Sequence, residues 1–142
     1  MTTKEYLLQV RRLRKCVDDK IENINILRSK LTSISVNTSD INVQSSSDPD
    51  KLGAMIADIL ERESELQPVL TKYLNMERTI SAQIDGMENP TYRHLLYSKY
   101  INDLTFEKIA VGMDRNWRHV IRMHGKALAE FEKKYGENYR MS

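Results

Sequence analysis

Apolar residues recur in alternating steps of four and three from Tyr6 through Val10, Leu13, Val17, Ile24, Leu27 and Leu31 to Ile34, with Lys20 the one interior break. That stride predicts a helix over about 3–34 with a narrow apolar seam of coiled-coil type. From Ser33 to Ser47 the period is lost and turn-forming residues gather, which predicts a loop over 35–49. A second seam then runs Leu52, Ile56, Ile59, Glu63, Leu66, Leu70, Tyr73, Glu77, Ile80, Ile84 and Met87. It predicts a helix over about 50–87, with Asp48 as its cap and Pro49 in its first turn. Pro68 falls inside this run, but the seam keeps its phase across it, so one kinked helix is favoured over two. Two seams of similar length predict a long antiparallel helical hairpin over 1–88. Burying Lys20 or Glu63 unpaired would be costly, so both are expected near an edge of the hairpin or near each other. The same seams suit a homodimer, and periodicity does not choose between pairing within and between chains.

Beyond Gly86 the pattern changes. Asn89 and Pro90 open a third helix to about Tyr100, and Asn102-Asp103 makes a turn. Thr105 is placed to cap a short helix with Phe106, Ile109, Ala110 and Met113 on one face. Met113-Asp114-Arg115-Asn116 is the next turn, and Asn116 caps a longer helix running to about Lys134. Val120, Met123, Ala127 and Leu128 form its apolar stripe. The other face carries Trp117, Arg118, His119, Ile121, Arg122 and Lys126. Gly125 interrupts that helix and is expected where another helix packs closely; the end from Tyr135 onward is expected to fray. The whole chain thus reads as all-α, with a C-terminal helix-turn-helix domain over 89–142. Such a turn fixes a basic helix so that its side chains can enter a DNA major groove.

Charge sharpens the picture. The net charge of +2 divides into +4 over 1–36, −6 over 37–89 and +4 over 90–142. The opposite signs of the first two segments suit helices that face each other, and the basic last segment suits a polyanion. Arg115, Arg118, Arg122 and Lys126 follow one another with no acid between them. Arg118 and Arg122 are four apart, so both reach one groove, and arginine reads guanine edges through paired hydrogen bonds. Arg115 and Lys126 suit phosphates, which position without specifying sequence. Thr105 and Phe106 open the supporting helix, whose amides can meet a phosphate.

Enzymatic chemistry finds no support. His94, His119 and His124 lack the spacing of a helical zinc site, and no phosphate-binding glycine loop or nucleophile elbow is present. No metal and no cofactor is expected. The lone Cys16, beside the first seam, is expected to be a passive packing residue in a reducing cytoplasm. No apolar run is long enough to span a bilayer, and no signal peptide is read, so no membrane partner is expected.

The order Thr-Phe-Glu-Lys-Ile-Ala, Met-Asp-Arg-Asn, then Trp-Arg-His-Val-Ile-Arg-Met-His-Gly-Lys-Ala-Leu resembles region 4 of sigma-70-type factors. More narrowly it resembles the RinA/ArpU-like late-gene regulators of phages and prophages. The resemblance spans about 90–134, with a weaker likeness at Lys4-Glu5-Tyr6-Leu7 and Val43-Gln44-Ser45-Ser46. It implies a sequence-specific DNA-binding transcription regulator, an activator, acting in the cytoplasm of a bacterial host. It puts Trp117, Arg118, His119, Ile121 and Arg122 at base-facing positions, with Asn116, Arg115, Thr105, Phe106 and Lys126 around them. A tryptophan and an isoleucine stand where that family usually has charged or polar residues, so the target sequence does not carry over. Double-stranded DNA is the implied partner. Host RNA polymerase and a second copy through the hairpin are further ones. Two alternatives remain open: a DNA-packaging adaptor like a small terminase subunit, and a coiled-coil interaction protein that does not bind DNA.

Overall fold

The computed structural model describes residues 1–40 and 49–140; the expected cap Asp48 and the Val43–Ser46 likeness lie outside them. The described chain is all-helical. Five α-helices follow in order: α1 Thr3–Asp40, α2 Pro49–Asp85, α3 Pro90–Leu96, α4 Phe106–Met113 and α5 Trp117–Tyr135. A π-helical turn, Tyr97–Ile101, extends α3, and a 3₁₀ turn, Gly136–Asn138, follows α5. Pro68 lies inside an unbroken α2. The first helix runs about two turns beyond its expected end, to Asp40, into the segment expected as loop. Serines, threonines and asparagines there are weak helix formers rather than breakers, and no proline or glycine stops the helix.

By contact the chain divides into two units, Met1–Arg14 with Tyr73–Ser142, and Lys15–Lys72. The cuts fall inside α1 and α2. The reason is the core of the larger unit. Tyr6, Leu7 and Val10 from the first turns of α1 are buried in one cluster with Ile80, Ile84, Leu95, Tyr100, Val120 and Phe131. Fully burying each such side chain contributes about 1.5–3 kcal/mol, so the short C-terminal helices complete their core with the ends of the long ones. The two long helices run in opposite directions where they meet in this unit. Tyr6 Oη donates to Gln83 Oε1 at 2.7 Å, and Arg14 Nε donates to Tyr73 Oη at 2.9 Å. Arg14 also donates to the Ile101 carbonyl, tying α1 to the π-helical turn.

The segment after α5 is held, not frayed, at Tyr139. Tyr139 is buried, its ring stacks on Tyr6 with centroids 4.3 Å apart, and its hydroxyl lies 2.6 Å from Thr3 Oγ1. Short-range periodicity gives no sign of this, because the contact joins residues 136 apart.

In the smaller unit Val17, Ile24 and Ile59 are buried, and Glu63 is ion-paired with Arg28. Lys20 is half-buried and Glu63 about one-third exposed, so the two interrupting charges sit at the edge of the seams, with Arg28 as the acid's partner. Two sequence expectations fail here. Ile56, a seam position, is exposed, and Cys16 is exposed rather than packed. Cys16 directly precedes the buried Val17, and one residue along a helix turns the side chain by about 100°.

Candidate nucleic-acid interface

Three residues, Asp114, Arg115 and Asn116, separate α4 from α5. Each helix starts on a side-chain cap. Thr105 Oγ1 accepts from the Lys108 amide at 3.2 Å, and Asn116 Oδ1 accepts from the His119 amide at 2.8 Å. Asp114 closes α4 in the left-handed region (φ 54°), and its amide donates to the Val111 carbonyl at 3.2 Å. The next amide, of Arg115, donates to the Ala110 carbonyl at 3.0 Å. The turn is therefore held by backbone and cap hydrogen bonds, and the angle between the two helices is set by what they bury.

They bury Ile109 and Ala110 from α4 against Val120, His124 and Ala127 from α5. Val120, Ala127 and Phe131 are wholly enclosed, and Met123 and Leu128 are half-buried beside them. This is the inner stripe read from the sequence, lengthened by Phe131. The outer face then follows from the helical period. Arg118, Arg122 and Lys126 are exposed, as is Arg115 in the turn. Trp117 and Ile121 are exposed to 48% and 39% on this otherwise polar face. His119 is half-buried at its margin. No ion pair to Arg115, Arg118, Arg122 or Lys126 occurs among the described residues. The Arg118 guanidinium lies 5.7 Å from the centre of the Trp117 ring, within range of a cation–π attraction.

The structure thus collects Arg115, Asn116, Trp117, Arg118, Ile121, Arg122 and Lys126 on and around the first three turns of one helix, with Thr105 exposed at the start of α4. It does not bring Phe106 onto that face. The Phe106 ring is half-buried, edge-on to His124 with centroids 5.0 Å apart, and covered by Lys99, whose Nζ is 4.3 Å from the ring centre. Thr105 and Asn116 have a second duty as caps, so their oxygens already carry a bond. Gly125 is exposed, and a Cβ there would meet nothing within 4 Å. The close helix contact expected at Gly125 is absent, because Gly125 lies on the outer face.

His124, weighed from the sequence only as a metal ligand, is the one buried histidine. Its Nε2 lies 2.7 Å from Tyr100 Oη, so the π-helical turn and α5 share a hydrogen bond inside the core. Burial, then the nearby Lys4 and Lys99 ammonium groups, push its pKa down to about 4. Burial likewise raises the Tyr100 phenol. His124 is therefore neutral near pH 7 and adds no charge to the interface. Spacing gave one signal: His124 follows Val120 by four residues on the inner stripe, a position for packing rather than for ligation.

Among the described residues no cluster of His, Cys, Asp and Glu is arranged to hold a metal ion, and no helix is long and apolar enough to cross a membrane. Comparison with protein-family models, with curated proteins and with solved structures finds no match to this chain.

Proposed function

We propose that this protein is a sequence-specific duplex-DNA-binding transcription regulator of the phage type, with α5 as its recognition helix. In this reading a helical hairpin carries a sigma-region-4-like helix-turn-helix domain, the late-gene activator role follows from the resemblance, and host RNA polymerase and a second copy of the chain are its protein partners. The observation that carries the reading is the outer face of α5. Three cations on α5 and a fourth, Arg115, in the turn before it have no acidic partner among the described residues, and two exposed apolar side chains join them on a helix whose start is fixed by the Asn116 cap and a three-residue turn. A helix cylinder with side chains is about 10–12 Å across, and a B-form major groove is about 12 Å wide. Arg118 and Arg122, one turn apart, would address neighbouring base pairs through paired hydrogen bonds. Ile121 between them would contact a thymine methyl, and Trp117 would lie at the groove edge against sugar or methyl groups. Arg115 and Lys126 bracket this set and would neutralise phosphates on the two sides.

The test is selection of bound duplexes from random DNA by the full chain, followed by affinity measurements on the selected site. Arg118→Ala and Arg122→Ala should each cost about 1–3 kcal/mol on that site, with discrimination relaxed at one base pair. Failure to enrich any sequence would refute sequence-specific binding. Equal losses on every duplex would reassign the two arginines to the phosphates.

A further inference from the structure

The α5 face is not the only concentration of positive charge in the larger unit. Between Glu5 and Asp18 the chain has four cations, Arg11, Arg12, Arg14 and Lys15, and no acid. Arg14 is committed to Tyr73 and Ile101, but Lys4 and Arg11 are exposed. They are seven residues apart, two turns along the same face of α1. Lys99 in the π-helical turn stands over the Phe106 ring, half-buried. Burial, then the Arg11 charge and more weakly that of Lys4, disfavour the charge on Lys99. Two acids temper them. Asp103 is ion-paired with Arg11, Oδ1 to Nε 3.2 Å, and both Asp103 and Glu107 favour the Lys99 charge.

Arg11 has Asp103 as a partner and Lys99 covers the Phe106 ring, but neither contact engages Lys4. The cluster also has a definite place. Phe106, under Lys99, touches His124, and His124 follows Trp117 and Ile121 by seven and three residues, on the same edge of α5. Lys99, over the ring that meets His124, thus lies on the side of α5 that carries Trp117 and Ile121. Phosphates run along both rims of a major groove, so cations beside a groove-seated helix meet one rim.

Resting on the DNA-binding reading above, we infer that Lys4, Arg11 and Lys99 form a second phosphate-contacting patch, through which the first turns of the long N-terminal helix clamp the duplex backbone beside the recognition helix. Phe106 then acts as the platform that holds Lys99 in place, not as a DNA contact. The patch adds affinity without adding sequence preference, and it makes the N-terminal turns part of the DNA-binding unit.

The experiment measures affinity of the full chain for one duplex as salt is varied, for wild type, Lys4→Gln, Arg11→Gln and Lys4→Gln/Lys99→Gln. Each lost phosphate contact should lower the salt slope by about 0.9, so the double variant should lose nearly 2, or roughly 60-fold in affinity at 0.1 M salt. The loss should be equal on specific and random duplexes. Lys4 and Arg11 are exposed, so these single variants keep the fold, and thermal melting verifies that of each protein. An unchanged slope in folded Lys4→Gln and Arg11→Gln proteins, with wild type binding normally, overturns the patch while leaving the α5 reading intact. No duplex binding by wild type at low salt overturns the DNA-binding reading, and the patch with it.

Discussion

Acid should loosen this protein through His124. In an unfolded chain the imidazole titrates near 6.5; in the fold burial and the Lys4 and Lys99 charges bring it down to about 4. Above pH 6.5 both states hold a neutral ring, and the group contributes no pH dependence. Between 6.5 and 4 the unfolded chain takes up a proton that the native chain refuses, so stability falls as the pH falls. From the two values the loss works out at about 2 kcal/mol at pH 5 and about 3 kcal/mol near pH 4. The cost has a structural cause. A charged His124 would stand beside the Phe106 ring and the Tyr100 hydroxyl, within reach of two ammonium groups, with no acid among the causes that set its pKa. The assay is urea unfolding of wild type and His124→Gln between pH 7.5 and 5. Glutamine keeps a polar partner for Tyr100 but does not titrate. The wild type should lose about 2 kcal/mol more than the variant over that range. Parallel pH profiles, or a His124 ring that titrates near 6.5 by NMR in the folded protein, would refute the reasoning.

Gly125→Ala should raise stability by about 1 kcal/mol, read as a higher melting temperature, because the added Cβ meets nothing within 4 Å and the helix gains propensity. A lower melting temperature would mean that α5 is packed there after all. Tyr139→Ala should cost about 3 kcal/mol in urea unfolding, the scale for deleting a buried aromatic, and a loss under 1 kcal/mol would show that the chain end is not docked. Asn116→Ala should cost about 1 kcal/mol by removing the cap on the His119 amide, and Asn116→Asp should restore most of it; no change in either would count against the cap.

Local rules recovered the local structure. The caps Asn89, Thr105 and Asn116, the inner stripe of α5 and the passage of α2 through Pro68 all follow from residue type and spacing, and the structure has each of them. What spacing could not reach was contact between distant parts of the chain. Tyr139 against Tyr6 and Thr3, and Leu7 in the same core as Phe131, depend on how the helices are brought together. The π-helical turn is only five residues long, too short for its wider period to show in the spacing of apolar residues. Polar residues predict an early end to the first helix, although only proline and glycine act strongly as breakers. Of the residues expected at the interface, those on α5 and in its turn come together because one short helix fixes them. Phe106 does not, because its ring fills the space between Lys99 and His124, an environment made by two other elements.

The central claim is that the outer face of α5 meets duplex DNA. Trp117 is the only tryptophan in the chain and stands on that face, about half exposed. Its emission during titration of the full chain with duplex DNA in dilute buffer is the most direct measurement. The expected outcome is a saturable change that reverses as salt rises and that Arg118→Ala/Arg122→Ala reduces. Emission that stays constant through the titration, with the protein folded and the duplex in excess, would contradict it.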